Sequence, residues 1–223
     1  MGCRNIKLKM VLMDSFIMSD LLEFKEELHQ DITLDSAIDE LYPEESFFDL
    51  MSVVLNEAGI VDDVAYAPFR DSRKGIRIDG YAWNELERVF CGIIVHLSDE
   101  PQHVASIPRV EIEKLGVRVS RYLEQAPSKK FRDGLDVSSS GRITGDFLAN
   151  IKESILKYRV VVITDSVISD RVRNINIDPI DEKRTSIEVW DLERLMKLAR
   201  SSHETEEFVV DLSKAKQSVQ VIE

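Results

Sequence analysis

Between Lys74 and Leu97 the chain carries two strand-like segments separated by a short polar loop. In Lys-Gly-Ile-Arg-Ile-Asp-Gly-Tyr, Ile76 and Ile78 alternate with Arg77 and Asp79, the pattern of a strand with one covered face. Val89 to Val95 is almost unbroken apolar, the pattern of a strand covered on both faces. The second is therefore expected at the centre of a sheet with the first beside it. Asp79 ends the first strand just before Gly80, where the backbone can turn and leave the carboxylate accessible. It is the one acid here whose placement invites chemistry.

Upstream, residues 1–19, with Met10 and Met13, read as a flexible lead-in, and Met18 is a candidate natural start. Leu21, Phe24 and Leu28 recur at helical spacing, which predicts a short amphipathic helix from Asp20 to about Gln30. Tyr42-Pro43-Glu44-Glu45 opens a stronger helix, with proline in the first turn, acids at the positive end of the dipole and Gly59 as the stop. Its buried stripe is Phe47, Met51, Val54, Leu55 and Ala58. Glu45 lies at the edge of that stripe, as either a solvated acid compensating the dipole or a metal ligand. Val64 to Phe69 reads as an edge strand, and Arg70 to Lys74 as a charged turn. Arg70, Arg73, Lys74 and Arg77 form the densest basic cluster of the chain, either a solvated hairpin or a phosphate-facing patch beside Asp79.

Downstream, Ser106-Ile107-Pro108 is expected to open a helix whose Ile112, Leu115, Val119, Tyr122 and Ala126 pack on the sheet. Residues 127–142 read as a surface loop and the place for disorder. A helix over Gly145–Lys157, a buried strand over Tyr158–Thr164, a strand over Ser186–Trp190, a helix over Leu192–Ala199 capped by Asp191, and a short strand over Phe208–Leu212 complete the order. Adjacent strands followed by a helix and a returning strand indicate one α/β domain over residues 20–212, a mixed central sheet flanked by helices, with residues 213–223 as a tail.

With 43% hydrophobic and 31% charged residues, the 223-residue chain has the composition of a soluble domain with a normal core. No apolar run is long enough to span a membrane or to serve as a signal peptide, so the expected compartment is the cytoplasm. The opening Met-Gly-Cys lacks the hydroxyl residue that myristoylation wants, having Ile6 in its place. Cys3 and Cys91 are too far apart in sequence to suggest a disulfide framework or a zinc site, and Cys91 falls inside the most apolar strand. A net charge of −12 argues against a surface that coats nucleic acid, so any such contact needs a local basic patch or a bridging metal. The four histidines show no metal-ligand spacing and no serine lies in a Gly-x-Ser-x-Gly turn, which leaves hydrolase triads unsupported.

A helix acid, two antiparallel strands with Asp79 ending the first, and a following helix and strand resemble the core of the PD-(D/E)xK nuclease superfamily. The resemblance implies that Asp79 and an acid on the next strand hold magnesium or manganese, which activates water while a lysine assists. Asp79 matches the first position. The second is unmatched: Arg88 to Leu97 contains no Glu-x-Lys or Asp-x-Lys. Asp99, just beyond the strand, then stands as the second metal ligand, and Glu45 as a third catalytic carboxylate.

From Leu21 to Leu212 the chain more closely resembles the amino-terminal region of the AIPR family, named for abortive infection and phage resistance. The carrying features are Arg77-Ile78-Asp79-Gly80-Tyr81, Leu97-Ser98-Asp99, Ile163-Thr164-Asp165-Ser166 and Val189-Trp190-Asp191-Leu192-Glu193-Arg194-Leu195. The resemblance implies a bacterial or archaeal phage-defence protein with a restriction-endonuclease-like fold, and a relative shorter than most members. It leans on Asp79 standing free at the rim of its strand pair. The expected function is a non-catalytic binding or assembly module, its partners nucleic acid through Arg70, Arg73, Lys74 and Arg77, other protein domains or a second copy, with no membrane contact. The alternative is an active Mg- or Mn-dependent nuclease using Asp79, Asp99 and Glu45.

Overall fold

The apolar segment is the central strand. In the computed structural model, which describes residues 2–169 and 175–203 with side chains from residue 18 to 201, β3 (Val89–His96) is buried over all but its last residue. It pairs antiparallel with β2 (Ile76–Asn84), which in turn pairs antiparallel with the edge strand β1 (Ala65–Asp71). On its other side β3 runs parallel to β5 (Lys157–Thr164), and β5 runs parallel to β7 (Arg184–Trp190). The result is a mixed five-stranded sheet in the order β1-β2-β3-β5-β7. A small parallel pair, β4 (Ser106–Ile107) with β6 (Val167–Ile168), lies outside it.

Parallel neighbours need a crossover, and α3 (Arg109–Gln125), α4 (Lys129–Arg132) and α5 (Ser140–Ile151) supply it between β3 and β5. Alternation then divides the core in two. Ile76, Ile78, Phe90, Ile94, Val160 and Val162 meet Ile112, Leu115, Val119 and Leu148 of the crossover helices. Ala82, Cys91, Ile93, Val95, Val161 and Ile163 meet α1 (Gly2–Asp39), α2 (Pro43–Glu57) and α6 (Leu192–His203).

Several local expectations need correction. The residues read as a lead-in are helical from Gly2, and the short helix expected from Asp20 is the packed part of a helix reaching Asp39, because its apolar stripe continues to Ile32. In α2 the exposed Ala58 is the C-cap and Phe48 takes the buried place instead. Residues 127–142 are structured, because their serines act as caps: Ser128 Oγ accepts from Phe131 N at 3.2 Å and Ser139 Oγ from Arg142 N at 3.3 Å. Pro108, not Ser106, is the N-cap of α3. Asp191 does cap α6, accepting from Arg194 N at 3.1 Å. The strand expected over Phe208–Leu212 and the tail 213–223 lie outside the described residues. Among the described residues no helix is long and apolar enough to cross a membrane.

Candidate functional site

Asp79 sits where β2 and β3 part. Their pairing runs from Asn84↔Val89 to Gly80↔Ile93 and stops. One residue beyond, the Asp79 carboxylate replaces the missing ladder: Oδ2 accepts from Val95 N at 2.8 Å, while Oδ1 accepts from Arg77 Nε at 2.8 Å. At 6% exposure it is a buried clamp, which corrects the expectation of an accessible acid. Gly80 does not turn the chain outward, because Phe48 and β1 press on it. A Cβ there would lie 2.2 Å from Phe48 Cζ and 2.5 Å from the Ala65 carbonyl oxygen.

Opposite the clamp, β1 carries a bulge: Tyr66 pairs with Gly80 and Phe69 with Ile78, so one strand has a residue more than the other. Pro68 falls in the bulge, where its missing N–H costs no ladder bond. Tyr66 packs on Phe48 with ring centroids 5.1 Å apart. Burial, and then the charges of Glu45, Asp79, Glu44 and Asp49, push its hydroxyl above the ordinary tyrosine range. Glu45 is half-buried at the first turn of α2, and its carboxyl is raised by that burial and by Asp49. Glu45 and Asp79 thus both bear on Tyr66. Asp99 is exposed in the loop after β3 and is not among the residues that line the cavity holding Asp79. Among the described residues no group of three His, Cys, Asp or Glu is placed to hold a metal ion.

The basic cluster is larger than the sequence suggested. Arg70 and Arg77 pair across β1 and β2, and Arg118 of α3 joins them around a cavity of about 230 Å³ that no acid lines. Arg121, one turn on, lies against the left-handed Gly75 of the β1–β2 turn, where a Cβ would come within 2.6 Å of its Nη1. Lys74 is held by Asp71 at 3.3 Å and lies over the Phe131 ring. Among the described residues Arg70, Arg73, Arg118 and Arg121 have no acidic partner within ion-pair distance. Sequence reasoning missed Arg118 and Arg121 because α3 was read only for its buried stripe.

A second charged centre, also missed, lies at the carboxyl ends of β3 and β5. Lys25 occupies the apolar stripe of α1 between Leu21 and Leu28 and is fully buried. Its ammonium donates to Ser98 Oγ at 2.7 Å and to the His103 carbonyl at 2.9 Å, and forms an ion pair with Asp165 Oδ2 at 3.2 Å. Asp165, equally buried, also accepts from His29 Nε2 at 2.8 Å, Ser98 Oγ at 2.7 Å and Ser98 N at 3.0 Å. Burial alone would raise its carboxyl, but the bonds from His29 and Ser98 and the charge of Lys25 outweigh it and hold the group down to about 2. A polar residue in the middle of a helix's apolar stripe was the available signal.

Two other side chains of β3 are contacted from β5. His96 is partly buried with Nδ1 3.2 Å from Thr164 Oγ1. Cys91 is a buried free thiol contacted by Arg159 Nε at 3.0 Å, and burial pushes its thiol up.

A family model described as the abortive infection phage resistance protein N-terminal domain matches residues 47–197. No curated protein and no solved structure matches the chain. The match spans β1, β2, β3, β5 and β7, the crossover helices α3 to α5, parts of α2 and α6, and all four segments that carried the resemblance; α1 lies outside it, and Asp79 is not the free acid that the resemblance leaned on. Covering more than half of the chain, it places this protein in the family of abortive infection phage resistance protein N-terminal domains.

Proposed function

We propose that this phage-defence domain is a binding module that engages the phosphates of nucleic acid through its arginine edge and does not cut them. The observation that carries the reading is the set of arginines without acidic partners: Arg70, Arg73, Arg118 and Arg121 converge on the β1–β2 turn of a chain whose net charge is −12. Guanidinium groups are suited to phosphate by geometry, and those not neutralised internally are the ones available to a ligand. Asp79 argues in the same direction. With Arg77 at 2.8 Å, its carboxylate presents a divalent cation with a like-charged neighbour. The PD-(D/E)xK likeness supports a nuclease-derived frame, while the unmatched second motif position supports the loss of cleavage.

Labelled DNA and RNA, titrated at several salt concentrations with and without magnesium or manganese, test the reading. Binding should weaken steeply with salt, Arg118→Gln should reduce the salt slope by about 1, and no cleavage should accompany it. Cleavage that needs the metal and vanishes in an Asp79→Asn variant whose unfolding transition matches the parent's would establish the nuclease alternative instead. Salt-insensitive binding, or binding unchanged in Arg70→Gln/Arg118→Gln, would end the electrostatic reading.

A further inference from the structure

The sheet has two borders, and they are built differently. β1 carries Pro68 and a bulge, whereas β7 keeps register with β5 from Lys157↔Arg184 to Ile163↔Trp190 without a shift, contains no proline, and has no strand beyond it in the sheet. The backbone groups that β7 leaves open follow from its neighbours. Leu192 N, just past β7, donates to Ser166 O, just past β5, while the Val189 carbonyl accepts from Arg194 Nη1 of α6. Direction alternates along a parallel ladder, so Arg184, Ser186 and Glu188 turn their amides and carbonyls toward β5, and Thr185 and Ile187 turn theirs outward. The same alternation sets the side chains of Arg184, Ser186 and Glu188 on one face. Arg184 is exposed, has Lys157 as its neighbour across the ladder, and has no acid within ion-pair distance among the described residues. Glu188 is partly exposed, meets Arg159 Nη1 only at 3.5 Å, and accepts no hydrogen bond among the described residues. We propose that β7 is a self-association edge, pairing antiparallel with β7 of a second copy about a two-fold axis at Ser186, so that Arg184 of one protomer faces Glu188 of its partner.

Backbone and side chains select the same register. A two-fold axis at the edge of a sheet makes the pairing antiparallel, and outward amides pair only with outward amides. Centring on Ser186 sets Thr185 opposite Ile187 of the partner, where both residues have their backbone groups free. It also sets Arg184 opposite Glu188 in a pair without backbone bonds, the kind in which side chains stand closest. Moving the centre to Thr185 would bring Glu188 against Glu182 of the partner, and moving it to Ile187 would bring Arg184 against Trp190. Only the Ser186 register gives each open charge an opposite one. The arginines beside the β1–β2 turn lie at the other border of the sheet and stay uncovered in such a pair.

Sedimentation velocity of the full chain over a range of concentrations should show monomer and dimer in equilibrium. Arg184→Glu and Glu188→Lys each set like charges together and should each weaken the dimer by roughly tenfold to a hundredfold. Mixed in equal amounts, the two variants restore both opposite-charge pairs and should associate about as tightly as the parent. Because Arg184 is exposed and has no acidic partner, its reversal leaves the fold intact, with circular dichroism as the check. In a Cys3→Ser background, Ser186→Cys should give a dimer that mild oxidation locks and a thiol reductant releases, since the axis sets this residue opposite itself within reach of a disulfide. That variant changes no charge, and it decides the matter if Glu188→Lys fails to fold. A chain that stays monomeric at every attainable concentration, a dimer as tight in Arg184→Glu as in the parent, or a dimer that Ser186→Cys does not lock overturns the proposal.

Discussion

The centre around Asp165 and the edge around Arg118 are both built from charged side chains, and they treat charge in opposite ways. Lys25 and Asp165 are wholly buried, and the Lys25 ammonium donates to Ser98 and His103 and is paired with the Asp165 carboxylate. Arg70, Arg73, Arg118 and Arg121, beside the β1–β2 turn, have no acid within ion-pair distance among the described residues, while Arg77 next to them is held by Asp79. The first arrangement ties α1 to the ends of β3 and β5, because an ammonium in an apolar helix stripe is tolerable only when its charge is met. Internal satisfaction of charge therefore separates the structural ion cluster from the candidate interface, although both look alike as strings of polar residues in the sequence.

That contrast breaks first at Asp165. Asp165→Ala strands the Lys25 ammonium in the interior and should cost about 3–5 kcal/mol, read by chemical denaturation. Acid provides a gentler version. The carboxyl lies at about 2 against an ordinary 3.8, so the unfolded chain takes up the proton first; the stabilisation is complete above the ordinary value and disappears as pH falls toward about 2. Its size is roughly 2 kcal/mol, and stability curves of the parent and Asp165→Asn should converge in that window. Asp191, which caps α6 and accepts from Ile168 N at 3.0 Å, is a satisfied acid outside the cluster. Asp191→Ala should cost about 1 kcal/mol. The arginine edge completes the series: Arg70→Gln/Arg118→Gln should change stability by less than about 0.5 kcal/mol while weakening nucleic-acid binding. A large loss of stability there would erase the distinction.

The sheet was readable because its signal is local. An unbroken apolar segment from Val89 to Val95 demands cover on both faces, and the alternation of Ile76 and Ile78 fixes its neighbour. The environment of Asp79 was less readable, since it depends on where two strands diverge and which N–H is left over. Half of the answer was nevertheless in view: Arg77 and Asp79 are two apart on a strand and so share a face. Lys25 and Asp165 are 140 positions apart, and only the fold makes them partners. The segment Ile163-Thr164-Asp165-Ser166 carried the family resemblance without revealing that its acid anchors a helix. Arg118 and Arg121 join the basic cluster through the packing of α3 on β2, a contact that no periodicity within α3 encodes.

The proline-bearing bulge in β1 also has a bearing on self-association. An outermost strand with regular free amides invites a further strand to zip onto it, from another copy or from an unfolding chain. Pro68 removes one amide and the extra residue throws the remainder out of register, so such zipping along β1 is interrupted midway. The same irregularity opposite the Asp79 clamp thereby guards that border of the sheet against edge-to-edge addition.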